Sequence, residues 1–242
     1  MTQLLISVKN VAEALIALDA GADIIDLKDP NIGALGALDE VLSLQIVDVI
    51  NDRATISATI GEQHTSLNAL IASIEARAML GVDIIKIALT KFFDEPEFLI
   101  KITQLTNKGI KIVAVLFADE SIDLNLLKKC QQMGFFGAML DTNNKQQNLL
   151  QVQSQSDLQM FTQKCNLHQL QCGFAGSLRP QDIESLIKFN PTYIGFRGGV
   201  CENGMRISTL LHCKVLEVKN MLHKSNKINQ KAQKSRGLAL HS

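Results

Sequence analysis

The feature that most limits what this chain can fold into is an alternation that recurs eight times. A short apolar, strand-like run is followed by an amphipathic helical segment, at a spacing of about thirty residues along most of the 242-residue sequence. The runs are QLLISV (3–8), DIIDLKD (23–29), TISATIG (55–61), DIIKIAL (83–89), KIVAVLF (111–117), GAMLDT (137–142), LQCGFAG (170–176) and TYIGFRG (192–198). The first leads into NVAEALIALDAG, with Asn10 placed to cap a helix and Gly21 to end it. Further helices are expected near 39–50, 66–80, 95–107, 122–133, 156–165, 180–188 and 208–222. Gly81 closes the third, while Pro96 and Pro180 open the fourth and seventh. Alternating units imply a parallel sheet, and eight of them in one domain imply a closed (β/α)8, or TIM, barrel. An open doubly wound sheet would want a glycine-rich fingerprint after its first strand, and SVKNVAEA has none.

Barrel geometry gives the charges inside the strands a place to go. Strand side chains alternate between faces, and the face toward the helices must be apolar. On the second strand Ile25 and Leu27 take that face, so Asp26 and Lys28 point into the barrel. Ile85 and Ile87 on the fourth strand do the same for Lys86, and Ala138 and Leu140 on the sixth do so for Asp141. Alternate strands share interior layers, so the four charged residues should meet near the C-terminal mouth. Lys145, four residues after Asp141, can lean over the same place. A buried salt-bridge network that merely fills the barrel is the bland alternative, and such networks stabilise poorly because desolvation competes with attraction.

Two glycine-bearing segments end the last two strands. GFAGSLRPQD offers Gly176 and Ser177, and GFRGGVCENG offers Gly198 and Gly199 with Arg197 beside them. Loops after strands seven and eight are where such barrels bind phosphate on exposed main-chain N–H groups. The expected substrate is a small phosphorylated molecule.

Composition removes other classes. The five histidines (His64, His168, His212, His223, His241) are scattered, so no metal site is expected, and no hydrolase or P-loop motif is present. Absence of Trp and a single Tyr leave few platforms for stacking on nucleic acid. No signal pattern or membrane-length apolar run occurs, and five unclustered cysteines fit reduced thiols, so a cytoplasmic protein is expected. A homo-oligomer working on a small molecule, without nucleic acid, membrane or cofactor, is the expected association. The barrel is assigned to residues 1–223. Residues 224–242 carry Lys224, Lys227, Lys231, Lys234 and Arg236 with no acid, and are read as a disordered, dispensable tail.

Close lysines suggest a chemistry. An amine of pKa ~10.4 is protonated at neutral pH and cannot attack a carbonyl. A second ammonium ~6–8 Å away, at an effective dielectric of ~20, disfavours that charge by about 2–3 kcal/mol, or about two pKa units. One lysine can then become a Schiff-base nucleophile while another moves protons.

The segments LISV, GADIIDLKDPNIGALGA, SATIG, GVDIIKIAL, GAMLDTNNK, GFAGSL and GFRGGVCENGMR, in barrel order from about residue 4 to 210, resemble one family. It is the (5-formylfuran-3-yl)methyl phosphate synthases, also called 4-(hydroxymethyl)-2-furancarboxaldehyde-phosphate synthases. The resemblance implies a TIM-barrel lyase that condenses two glyceraldehyde 3-phosphate molecules, losing one phosphate and two waters, for methanofuran-type one-carbon carriers. It also implies a Schiff base on Lys28 supported by Asp26, acid–base work by Lys86, and participation of Asp141 and Lys145. Ala88 stands where glycine is more usual, which would narrow the pocket. A reversible Schiff-base aldolase and a non-catalytic sugar-phosphate-binding barrel are the alternatives.

Overall fold

Eight parallel strands close on themselves in chain order in the computed structural model, which describes residues 1–89 and 92–239, with side chains through 231. The strands are β1 (Gln3–Val8), β2 (Ile24–Leu27), β3 (Thr55–Thr59), β4 (Ile84–Ala88), β5 (Lys111–Phe117), β6 (Gly137–Asp141), β7 (Gln171–Phe174) and β8 (Tyr193–Phe196). The barrel shuts where β8 pairs with β1, Leu5 beside Gly195 and Ile6 beside Phe196. Four helices on the outside follow the first four strands: α1 (Val11–Asp19), α2 (Glu40–Ile50), α3 (Leu67–Met79) and α4 (Pro96–Asn107). Asn10, Asp39 and Ser66 start the first three by accepting the N–H of Glu13, Leu42 and Ala69. Pro96, which needs no N–H there, opens the fourth.

Two separate apolar clusters follow from the period of two along each strand. Ile25, Leu27, Ile85, Ile87, Ala138 and Leu140 pack outward against helix residues such as Leu70, Ile74 and Ile102. Leu5, Ile24, Ile84, Val113, Val115, Met139 and Tyr193 fill the barrel interior. Gly173 makes room for the last of these, because a Cβ there would lie 2.3 Å from the Tyr193 ring. Most of these residues stand early in their strands, so they plug the N-terminal half and leave the other half to polar groups.

The second half of the chain departs from the expected helices. The segment expected near 122–133 is helical only over α5 (Leu126–Gln132), because Asp123 turns back to accept the Asn125 N–H before it. A short α6 (Leu149–Val152), capped by Asn148, precedes α7 (Gln155–Leu167). The region opened by Pro180 is one turn of α-helix, α8 (Ile183–Leu186), between 3-10 turns, and Asn190 ends it in the left-handed conformation at φ 54°.

The largest correction concerns the tail. The final helix, α9, runs His212–Ala239, straight through the boundary placed at 223. Asn226 is buried there and exchanges two hydrogen bonds with the main chain of Thr2, both 2.9 Å. Asn229 donates to the Ile187 carbonyl at 3.0 Å. These contacts pin the helix across the end of the barrel opposite the mouth. Polar side chains make the attachment, which is why no apolar period announced it. Residues 240–242 lie outside the described residues. All five cysteines are free thiols, and no helix among the described residues is long and apolar enough to cross a membrane.

Candidate active site

Pairing register creates the innermost part of the site. Ser7 on β1 and Ser57 on β3 stand directly opposite Asp26 on β2. Their hydroxyls donate to its two oxygens at 2.8 and 2.7 Å, and Lys86 on β4 adds an ion pair at 2.7 Å. Asp26 is thereby sealed at 0% exposure with a full set of partners. Two residues farther along, Lys28 pairs with Asp141 Oδ2 at 3.2 Å. The other oxygen of Asp141 takes Lys145 at 2.8 Å and the Thr142 N–H at 2.8 Å. Lys145 also donates to the Thr142 carbonyl. Strand phase alone thus brings Asp26, Lys28, Lys86 and Asp141 into one place, and Lys145 leans over them from the loop after β6.

Burial and mutual charge work against one another here. Burial lowers the Lys86 ammonium, and Lys28 adds to that while Asp26 opposes it. Burial likewise lowers Lys145, with Asp141 opposing and Lys28 and Arg206 assisting. Burial would raise the Asp141 carboxyl, but Lys28 and Lys145 together hold it well below the ordinary carboxylate range. The group therefore combines a permanent carboxylate with two ammoniums, Lys86 and Lys145, that release protons more readily than free lysine.

A cavity of about 740 Å³ opens above these groups, with Lys28, Lys86, Asp141 and Lys145 on its floor and the loops after β7 and β8 on its wall. That volume suits small-molecule substrates. Gly176 sits at φ +106°, where a Cβ would lie 2.9 Å from the Thr142 nitrogen, so only glycine fits. A Cβ on Gly199 would lie 2.4 Å from the Leu178 carbonyl oxygen, so the two loops touch backbone to backbone. Ser177, also left-handed at φ 50°, ties its hydroxyl to the Lys145 carbonyl at 3.1 Å. The N–H groups of Gly176 and Ser177 donate to no group among the described residues, which leaves them for an anion. No three His, Cys, Asp or Glu side chains cluster as metal ligands among the described residues.

Arg197 lines the same cavity beside Gly198 and Gly199, but its guanidinium is engaged elsewhere. Its backbone (φ −137°, ψ −78°) leaves the strand alternation after β8, and the side chain turns to α1. There the guanidinium pairs with both Glu13 oxygens and donates to the carbonyls of Ser7, Arg206 and Ser208. Five donors meet five acceptors, so none remains for a ligand. Sequence reasoning missed Arg206, which lines the cavity from the loop after β8. It also missed Ser7 and Ser57, which the period of two along QLLISV and TISAT would have placed inward beside Asp26.

The fold and the site define a (β/α)8 barrel enzyme with three lysines gathered at its mouth. Solved barrels share this shape, among them phosphoribosyl anthranilate isomerase from Thermus thermophilus (TM-score 0.66, 10% identity, covering 92% of this chain and 99% of that one). Another is 3-hexulose-6-phosphate synthase from Salmonella typhimurium (TM-score 0.65, 11% identity, 93% and 100%). At such identities the likeness is one of fold. Sequence relatives are more specific. The (5-formylfuran-3-yl)methyl phosphate synthases of Methanosarcina acetivorans and Methanosarcina mazei are each 34% identical to it. The matches cover 84% and 82% of this chain, and 92% and 90% of theirs. A Methylorubrum extorquens protein that carries the same name provisionally is 38% identical over 89% of both chains. The chain belongs to the 4-HFC-P synthase family, whose model matches residues 4–219.

Proposed function

We propose that this enzyme condenses two molecules of glyceraldehyde 3-phosphate into (5-formylfuran-3-yl)methyl phosphate through an imine on Lys28, supplying methanofuran-type carriers. The observation that carries the reading is the convergence of three lysines and Asp141 on one cavity floor, with Asp26 buried beneath them. Lys28 is the nucleophile because its one ion pair, 3.2 Å long, is the loosest of the set. Lys86 is clamped at 2.7 Å to a carboxylate that two serines hold in turn.

The Lys28 amine adds to the first triose phosphate and expels the carbonyl oxygen as water, forming the imine. Loss of its C2 proton, with departure of the phosphate β to the imine, leaves an unsaturated imine. The second triose phosphate, as its enediol, adds through C2 to the vacated C3 and forms the carbon–carbon bond. Closure of the first triose's C2 oxygen onto the aldehyde of the second, with loss of two waters, then gives the furan. Each departing group needs a proton or a charge partner, which Lys86 and Lys145 supply, while the Asp141 carboxylate holds Lys28 and Lys145 in place. Hydrolysis of the final imine takes back the first water, so the net loss is one phosphoric acid and two waters with no change of oxidation state. The reading includes a cytoplasmic homo-oligomer that uses no cofactor.

Purified protein given glyceraldehyde 3-phosphate alone should build an ultraviolet-absorbing aldehyde and release inorganic phosphate in equal amounts. A product that keeps both phosphates, shows no chromophore and cleaves back to trioses would mark an aldolase instead.

A further inference from the structure

Two arginines follow β8, and they are opposites. Arg197 has every donor occupied, as described above. Arg206 lines the cavity and gives one side-chain hydrogen bond among the described residues, from Nη2 to the Gly33 carbonyl at 2.6 Å. A guanidinium has five N–H donors, so four are open to a ligand. The carboxylates that influence it, Asp141, Glu62 and Asp29, are otherwise engaged. Asp141 holds Lys28 and Lys145, Glu62 accepts the Leu35 N–H at 2.6 Å, and Asp29 accepts from Asn31. None of them bonds Arg206. A half-buried cation facing a cavity without a bonded counter-ion is an anion site waiting for its anion.

Its position separates it from the glycine loops. The Arg206 main chain starts beside Gly198, 3.6 Å from where a Cβ on that residue would stand. The side chain then passes over β1 to reach Gly33, in the loop after β2. The loop itself is fixed: Arg197 holds the carbonyls of Arg206 and Ser208 at 2.7 and 3.1 Å, and Lys9 holds that of Ile207. A long side chain on a pinned backbone therefore presents its charge on the β2 side of the mouth. The free N–H groups of Gly176 and Ser177 lie on the β7 side.

Resting on the two-substrate reading above, we propose that Arg206 forms a second phosphate site, which holds the second triose phosphate, the one that keeps its phosphate in the product. The glycine loops hold the phosphate of the triose bound to Lys28. Guanidinium pairs bidentately with phosphate oxygens, and a cavity of about 740 Å³ has room for two small phosphates side by side.

The two sites are read separately by two concentration curves in Arg206→Ala and in wild type. One is the glyceraldehyde 3-phosphate needed for half-maximal borohydride trapping on Lys28; the other is that needed for half-maximal furan formation. The substitution should leave the first within about threefold and raise the second by about 10- to 100-fold, the worth of one charge-assisted bond. Added guanidinium ion should restore part of the second, and Arg206→Lys should fall between. Both curves moving together would place Arg206 in the first site and overturn the proposal, as would neither moving. Retained trapping also shows that the variant is folded. Failure of the synthase reading shows already in wild type, whereas failure of the second site shows only in the variant.

Discussion

Arg197 and Glu13 bury opposite charges behind β8, and Lys28, Lys86, Asp26 and Asp141 bury theirs a short distance away inside the barrel, yet the two groups are completed differently. Around Arg197 each donor has its acceptor, and the guanidinium ties α1 to the loop that carries Arg206. Inside the barrel three ammoniums share two carboxylates, and a cavity opens on the three lysines and Asp141. Burial alone does not tell structure from chemistry. What separates them is the remainder: a network with nothing left over holds the fold, while one with surplus charge and an open side can act on a ligand.

That contrast can be broken by single substitutions, the largest effect first. Lys28→Ala should lower kcat by at least about 10⁴-fold, since it removes the proposed nucleophile. Thermal stability should change little, because Asp141 keeps Lys145 as its partner. Arg197→Ala should do the reverse. Leaving Glu13 buried and unpaired should cost about 3–5 kcal/mol, read by calorimetry as a melting temperature lower by roughly 10 °C. The folded fraction should still form the Lys28 imine. If the stability loss fell on Lys28→Ala and the activity loss on Arg197→Ala, the division between the two groups would be wrong.

A smaller effect sharpens the comparison through pH. Lys28 and Lys145 hold the Asp141 carboxyl low in the folded protein against the opposing effect of burial. The unfolded chain therefore binds more protons below its own carboxyl pKa of ~3.9, and stability rises with pH across that window. The Asp141 contribution is complete above about pH 4–5 and is lost as the medium is acidified toward the folded value. Asp141→Asn should flatten this acid limb in denaturant titrations, while lowering stability at neutral pH by leaving two ammoniums unpaired. An acid limb as steep as in wild type would show that other carboxyls dominate it.

The barrel was readable from the sequence because eight apolar runs with a period of two leave one consistent inside. The same phase found Asp26, Lys28, Lys86 and Asp141, since Ile25, Leu27, Ile85, Ile87, Ala138 and Leu140 all claim the outside. Phase stopped helping where strands end. Arg197 turns away on a non-strand backbone, and Arg206 sits in a loop whose side-chain direction has no period. The extension of α9 was hidden for another reason. Asn226 and Asn229 dock it by hydrogen bonds to main-chain groups of distant residues, a signal that composition reads as a polar tail. The open N–H groups at Gly176 and Ser177 followed from glycine content at the right strand ends, although the closeness of Gly199 to Leu178 did not.

The central claim is that Lys28, with the longest ion pair of the three lysines, is the one that becomes covalently bound to substrate. Borohydride added during turnover of glyceraldehyde 3-phosphate, followed by peptide mass spectrometry, tests it directly. The account predicts a reduced triose phosphate adduct on the peptide containing Lys28, with Lys86 and Lys145 unmodified. An adduct on Lys86 alone, or none under conditions where product forms, would contradict it.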